Sequence, residues 1–477
     1  MNMKILLTGA TGYIGKRILP MLVKKGYHVV CCVRDVSRFN PPQALLPSIS
    51  ILKIDLLNKD SLQKIPDDVV AAYYLVHSRS SSDDYKSLEQ TSAINFRKRL
   101  SNTNAKQVIY LSGIVNESNL SNHLISRKTV EEELKKGSYS LTCLRAGIIV
   151  GSGSASFEIM RDLVEKLPVM ITPKWLLTRC QPIGIRDVQL FLTMSLFNEK
   201  TFDRDFDIGC DDILTYKEML LSFAEVRNLK RKIWIVPVMT PKLSSYWLYF
   251  VTSTSYKLAC SLVESMKVEV ICRDNEINKL LGIHPISYKE SLSRAFNKID
   301  RNEVSSSWKD SYSSSGINMN ISNSIIVPTF GCFKDHRTKK VVSRNSTIEK
   351  IWSVGGENGW YYGNWLWKLR GFLDKLFGGV GLRRGRTNKT QISPGDALDF
   401  WRVLYANKEE GRLLLFAEMK IPGEAWLEFR VEERTLIQTA TFRPLGLAGR
   451  LYWFAVYPLH GIIFNGLLTK LTKHHNF

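Results

Sequence analysis

The residues best placed to do chemistry stand close to the amino terminus, in Thr8-Gly9-Ala10-Thr11-Gly12-Tyr13-Ile14-Gly15. This stretch follows a short apolar run, Lys4–Thr8, and opens a segment with Ile14, Ile18, Leu19 and Leu22 on one helical face. Three glycines between a strand and a helix are what a phosphate loop requires. Gly9 permits the tight turn, Gly12 lets backbone N–H groups approach a pyrophosphate, and Gly15 lets the helix pack on the sheet. The anion then lies at a helix N-terminus, where unpaired N–H groups and the dipole favour it. Thr8, Gly9, Thr11, Gly12, Tyr13, Ile14 and Gly15 are therefore candidate dinucleotide contacts. A tight turn with no ligand is the plain structural alternative.

The next apolar run, Tyr27–Val33, ends in Arg34-Asp35, with Arg38 close behind. In such a unit this strand end meets the adenosine ribose, where an acid takes the 2′-hydroxyl and an arginine takes the 2′-phosphate. Arg34 backed by Arg38 favours NADP(H), while a one-residue slip would bring Asp35 into place and favour NAD. Asp55-Leu56, read as the end of the third strand, would flank the adenine. The alternative for Asp55 is a helix N-terminal acid.

The elements that position these residues alternate between strand and helix. Ile51–Leu56, Val69–Val76, Gln107–Leu111 and Leu141–Val150 continue the series of short apolar runs, with a helix predicted over 12–25. Runs apolar on both faces imply a doubly wound parallel sheet covered by helices, an α/β Rossmann-type domain. From Gly151 to Lys298 the pattern is more helical, with one further strand signal at Phe206–Gly209, and reads as a substrate-side extension. The stretch Ser305–Ser324 is dominated by serine and asparagine, a linker composition. Beyond it, Ala397–Leu404, Arg412–Met419, Ala425–Glu432 and Thr435–Phe442 read as antiparallel strands with one wet face. An apolar helical segment at 451–469 closes an α+β domain. The expected boundaries are 1–300, 301–327 for the linker and 328–477.

At 477 residues, 44% hydrophobic and 23% charged, the chain is globular and too long for one ordinary core. Its 66 basic and 45 acidic residues give a net charge of +21, which suits anionic ligands or an acidic membrane face. The 8 cysteines form no CxxC or Cys/His cluster, so neither a metal site nor a disulfide framework is expected. A reducing, cytoplasmic setting fits, and Met1–Ala10 lacks signal-peptide architecture. Leu451–Thr469 is uncharged but holds Pro458, His460 and Asn465. It reads as a buried or surface-lying helix more readily than a membrane span, and peripheral membrane contact through it is left open. No GxSxG, HExxH or Walker loop is present, and no nucleic-acid-binding fold is recognisable.

The motifs TGATGYIG, VRD, IDLL and YLSG resemble atypical short-chain dehydrogenase/reductases of the NmrA- and epimerase-like branch. HLISRKTVEEEL, LRAGIIVGSGSASFE, LPVMITPKW, QPIGIRDV and FDIGCDDILTYKEM are similar to a bacterial subgroup with a second domain of unknown function. IWSVGGENGWYYGNWLWKLRGFLDKLFGGVGLRRGR, DALDFWRV, AEMKIPGEAWLEF and YWFAVYPLHGIIF match that second domain. It resembles the START/polyketide-cyclase (SRPBCC) helix-grip fold, which implies a cavity for apolar ligands. The family resemblance implies a serine and a Tyr-x-x-x-Lys pair, in which tyrosine shuttles a proton and lysine lowers its pKa. No tyrosine here precedes a lysine by four residues. His123 and Arg127 stand where that pair is expected, and Ser112 stands at the carbonyl-orienting position.

Two readings follow. In one, His123 is the acid/base, Arg127 holds the ribose and Ser112 polarises a carbonyl, giving an NAD(P)-dependent oxidoreductase for an unknown apolar substrate. In the other, the pair is structural and the chain is a non-catalytic NADP(H)-binding sensor or scaffold with a ligand-binding second domain. Gly378–Arg386 is either an anion-binding loop or a solvated turn. Trp360, Tyr361, Tyr362, Trp365 and Trp367 form either core or a ligand wall. His474 and His475 read as a frayed tail.

Overall fold

The computed structural model describes residues 3–36, 39, 41–76, 85–115, 122–236, 263–300, 327, 332–376, 379, 381, 386 and 391–473. The chain divides into two compact units, one holding most of residues 1–308 and the other most of 309–477. Of the expected linker, only Val327 is among the described residues.

The first unit begins β1 (Lys4–Thr8), α1 (Gly15–Lys24), β2 (His28–Val33), β3 (Ile49–Lys53), α2 (Lys59–Leu62) and β4 (Val69–Tyr74). It continues with α3 (Tyr85–Leu100), β5 (Gln107–Gly113), α4 (Asn122–Leu134) and β6 (Ser140–Ala146). Then come β7 (Ile149–Val150), α5 (Ala155–Lys166), β8 (Val169–Pro173), β9 (Arg179–Cys180), β10 (Ile183–Gly184) and α6 (Ile185–Met194). β11 (Arg204–Ile208), β12 (Leu214–Thr215), α7 (Tyr216–Val226), β13 (Lys232–Val236), α8 (Glu276–Leu281) and α9 (Tyr288–Asp300) complete it.

Seven strands form one sheet in the order β11-β6-β5-β4-β1-β2-β3, and every pairing in it is parallel. Ile5 and Leu7 face one apolar layer and Leu6 faces the other. A strand with both faces covered must be apolar at successive positions, which is why KILLT and HVVCCV lack alternation. The predicted run 141–150 breaks after Ala146, and β7 leaves the main sheet to pair with β10. The helix predicted from residue 12 starts at Gly15, because 9–14 are spent on the turn.

The second unit holds β14 (Phe333–Lys340), α10 (Arg344–Ile351), α11 (Asn364–Leu376), β15 (Ala397–Leu398), β16 (Trp401–Asn407), β17 (Arg412–Ala417), β18 (Gly423–Glu432), β19 (Thr435–Pro444) and α12 (Gly446–Thr472). Its strands form an antiparallel sheet in the order β14-β19-β18-β17-β16-β15. The expected strand 397–404 is two strands, since Asp399 takes a φ of +52° and turns the chain between them. Leu427, Phe429 and Val431 of β18 meet Ile463, Phe464 and Leu467 of α12 in one core. Pro458 does not break α12. It lies on the exposed side, where the carbonyl its ring leaves unbonded can reach water.

Beneath α12, His460 faces Asp335 and Arg337 of β14 and Arg370 of α11. Its Nδ1 is 3.8 Å from Asp335 Oδ2. Burial, helped by the Arg370 and Arg337 cations and opposed by Asp335, pushes the imidazole down to about 4. The unfolded chain therefore binds this proton first. The stability His460 gives is full above about pH 6.5 and is lost as pH falls toward 4. Urea titrations between pH 7 and pH 4 are expected to show the second unit losing roughly 3 kcal/mol from this group. His460→Phe should flatten that part of the profile, and an unchanged profile would assign the acid lability to other residues.

Candidate functional site

The glycine turn sits where the sheet reverses direction. β1 lies between β2 and β4, so the chain leaves it toward one side for β2 and β3 and toward the other for β4, β5 and β6. Open α/β sheets present a crevice beyond the carboxyl ends of the strands at such a point. Thr8 fastens its floor: Oγ1 donates to the Tyr73 carbonyl at 2.9 Å and accepts from the Leu75 N–H at 3.2 Å.

Gly9 has a φ of +70°, and a Cβ there would stand 2.6 Å from the Leu75 carbonyl oxygen. The Gly12 N–H donates to the Gly9 carbonyl at 2.8 Å, closing the turn. A Cβ on Gly15 would lie 2.2 Å from that same oxygen, so only glycine lets α1 start so close to the strand. No side chain caps α1 and its first turn has no acid, which leaves the helix N-terminus suited to an anion. Ile14 occupies the N-cap position.

Tyr13 has a different place from the rest of the loop. The residue is half-buried, with the Arg17 guanidinium 4.0 Å from its ring centroid. Arg17 Nη2 also donates to the Ser152 carbonyl at 2.8 Å. Burial pushes the Tyr13 hydroxyl up to about 12. Its side chain thus braces the glycine turn against the 151–154 segment that precedes α5. Sequence reasoning passed over Arg17, although a cation four residues after a loop tyrosine is a usable signal.

Arg34 follows β2 directly and is exposed, Asp35 is half-buried, and Arg38 lies outside the described residues. Asp55 and Leu56 do not end β3, which stops at Lys53. They form the turn after it: Asp55 Oδ1 accepts the Leu57 N–H at 3.1 Å, and the Ser61 hydroxyl donates to the Asp55 carbonyl at 2.8 Å. Leu56 is buried beneath this turn.

Ser112 is near the end of β5, two strands from β1, and is 2% exposed. Its Oγ is buried beside the Tyr110 hydroxyl without a hydrogen bond of good geometry to any described group. Arg127, on α4, packs over the next residue: a Cβ on Gly113 would lie 3.3 Å from Arg127 Nη1. Arg127 Nε is buried and also without a hydrogen-bond partner among the described residues. Burial lowers the Arg127 pKa, while Tyr110 and Glu89 act to raise it. Glu89, buried on α3 and hydrogen-bonded by the Ser126 hydroxyl, is the nearby negative charge. No sequence pattern marked Glu89, since an acid in a polar helix is ordinary. The α4 backbone carries His123 one turn before Arg127, and the His123 side chain lies outside the described residues.

The candidates in the second unit resolve toward structure. Arg386 donates to the Val354 and Trp352 carbonyls, and the Gly381 N–H donates to Asp374. The rest of the 378–386 loop, apart from Gly379, lies outside the described residues, as do His474 and His475. Trp360 and Trp367 are stacked core residues, whereas Trp365 is exposed.

Residues 5–112 match the NAD dependent epimerase/dehydratase family, and residues 332–467 match a protein family of unknown function, DUF2867. The N-terminal domain is epimerase-like. The chain is similar to the chloroplastic divinyl chlorophyllide a 8-vinyl-reductase of Cucumis sativus, 23% identical over 222 residues, or 43% of this chain and 52% of the relative. It is also 32% identical over 76 residues to the CDP-abequose synthase of Salmonella muenchen, covering 16% of this chain and 23% of that one. The chain thus spans about half, or less, of the length of these curated relatives. The epimerase-like fold is shared with the Bordetella bronchiseptica enzyme WbmG, solved with NAD, at a TM-score of 0.50 and 11% identity over 64% of this chain and 96% of that one.

Proposed function

We propose that the epimerase-like domain binds a nicotinamide dinucleotide, NADP(H) before NAD(H), and uses it as a short-chain-dehydrogenase-type oxidoreductase on an apolar carbonyl compound. The observation that carries this reading is the glycine turn at the switch point of the sheet, with an uncapped helix N-terminus behind it. The reductase among the relatives and the NAD complex of the structural neighbour support it. The nicotinamide would supply or accept the hydride. Ser112 Oγ and Arg127 Nε are buried groups with hydrogen-bonding capacity to spare on one side of the crevice. Ser112 would donate to the substrate oxygen, Arg127 would hold the ribose by charge, and His123 would move the proton. Arg34 and Arg38 would meet the 2′-phosphate. The antiparallel sheet and long helix of the second domain are read as a binder of the apolar substrate.

The missing Tyr-x-x-x-Lys pair favours a second reading, an NADP(H)-binding sensor without turnover. Calorimetric titration with NADPH and NADH, followed by an assay of NADPH consumption with apolar aldehydes and enones, separates the two. Arg34→Asp is expected to cut the NADPH-over-NADH preference by about tenfold or more, the scale of removing a single ion pair to the 2′-phosphate. Arg127→Met should lower turnover by about a hundredfold while leaving the fold intact. NADPH binding without consumption would favour the sensor. Absence of binding to either dinucleotide would refute both.

A further inference from the structure

The second domain leaves two apolar helix faces uncovered. On α11, Trp365, Leu369, Phe372, Leu373 and Leu376 are all exposed, and their spacing places them on a single stripe. The opposite side of α11 buries Trp367 against Trp360 and Phe400. On α12 the inward residues Ile463, Phe464, Leu467 and Leu468 belong to the core. Leu451, Phe454, Leu459 and Ile462, on its other side, remain exposed. This helix is apolar all round although only one side has a protein partner. Trp365 and Phe454 are 66% and 64% exposed, far more than large side chains need to be.

The two helices are neighbours. Arg370 Nη2 donates to the Tyr452 hydroxyl at 2.7 Å, while Tyr362, just before α11, lies against Gly466. The contacts run forward along one helix and backward along the other, so the pair is antiparallel. Every exposed charge on these helices is positive. Lys368 lies on α11 beside the half-buried Arg370, with Arg450, Lys470 and the C-cap residue Lys473 on α12. The one acid, Asp374, is buried and accepts the N–H groups of Gly381 and Lys420.

We propose that the two uncovered stripes form one face that docks on the surface of an anionic lipid bilayer, with both helices lying in the interface. Apolar side chains would enter the acyl boundary while the cations meet lipid phosphates. The charge pattern chooses this occupant over a second copy of the chain, which would bring the same cations face to face. The core contacts of α12 argue against a span. To cross the bilayer it would have to leave the sheet that buries Phe464, Leu467 and Leu468.

The test is flotation of the full-length protein with vesicles of phosphatidylcholine alone or mixed equally with phosphatidylglycerol. Binding is expected to the anionic vesicles, to weaken at least tenfold in 0.5 M salt, and to be abolished by carbonate washing. The double variant Trp365→Glu/Phe454→Glu should bind at least tenfold less while keeping the wild-type melting temperature and NADPH titration. No flotation, or equal flotation of the folded variant, overturns the proposal. Resistance to carbonate would replace it with a span. Sedimentation velocity showing a dimer that the variant dissociates, without vesicle binding, would replace it with self-association.

Discussion

Glu418→Leu is expected to destabilise the second domain by about 3–5 kcal/mol, among the largest effects of any single change. Glu418 and Arg402 are joined by two hydrogen bonds, 2.9 and 3.1 Å, with side chains only 3% and 2% exposed. A third bond runs from Arg402 Nη1 to the Gly395 carbonyl at 2.8 Å. Removing the carboxylate takes the acceptor of these two charge-assisted bonds away from a guanidinium in a site that water barely reaches. The pair itself is worth much less than its breakage costs, because both ions gave up hydration to form it. Arg402→Met combined with Glu418→Leu should therefore recover most of the stability. Urea unfolding followed by tryptophan fluorescence suits this domain, since 7 of the 11 tryptophans lie beyond residue 309. Equal destabilisation by the single and double variants would show that packing, not charge, dominates there.

Gly12→Asp is expected to weaken NADPH binding by at least about a hundredfold, roughly 3 kcal/mol. The new carboxylate would stand in the turn where the pyrophosphate is to be held, adding like-charge repulsion and filling space. Folding should survive. A Cβ on Gly12 meets only the Gly9 carbonyl, at 3.0 Å, and an acid before a helix suits the dipole. Gly12→Asn, with nearly the same steric demand and no charge, isolates the electrostatic part. If both variants bound NADPH as the wild type does, the dinucleotide would have to be placed elsewhere.

Much of the first domain was legible because its signals are local. A buried parallel strand must be apolar at consecutive positions, Gly15 is demanded by the carbonyl of its sequence neighbour Gly9, and Gly9 by its positive φ in the turn. Family resemblance put Ser112 and Arg127 forward as site candidates, but the charge environment of Arg127 was not legible. Glu89 reaches it from another helix, and nothing in a polar helical sequence announces such a contact. β14 was missed for a related reason. Its sequence, FKDHRTKK, has almost no apolar residue, and it is a strand because β19 offers a free edge. The break at Asp399 and the end of β3 at Lys53 were set by turns that apolar runs do not mark. In α12 the apolar count was plain from sequence, but which half of it faces the core needed the sheet.

The pairing of β14 with β19 also has a consequence for how the chain is made. Phe333 lies opposite Phe442, and among the described residues β14 is the outermost strand of its sheet. During synthesis this segment leaves the ribosome about a hundred residues ahead of its partner β19, so the sheet is closed last. Its lysines and arginine suit a strand that must wait in water without seeking another edge. Any fragment of the second domain cut after Lys340 would lose that strand and leave the β19 backbone open to foreign pairing. The shortest piece worth expressing therefore begins before Phe333.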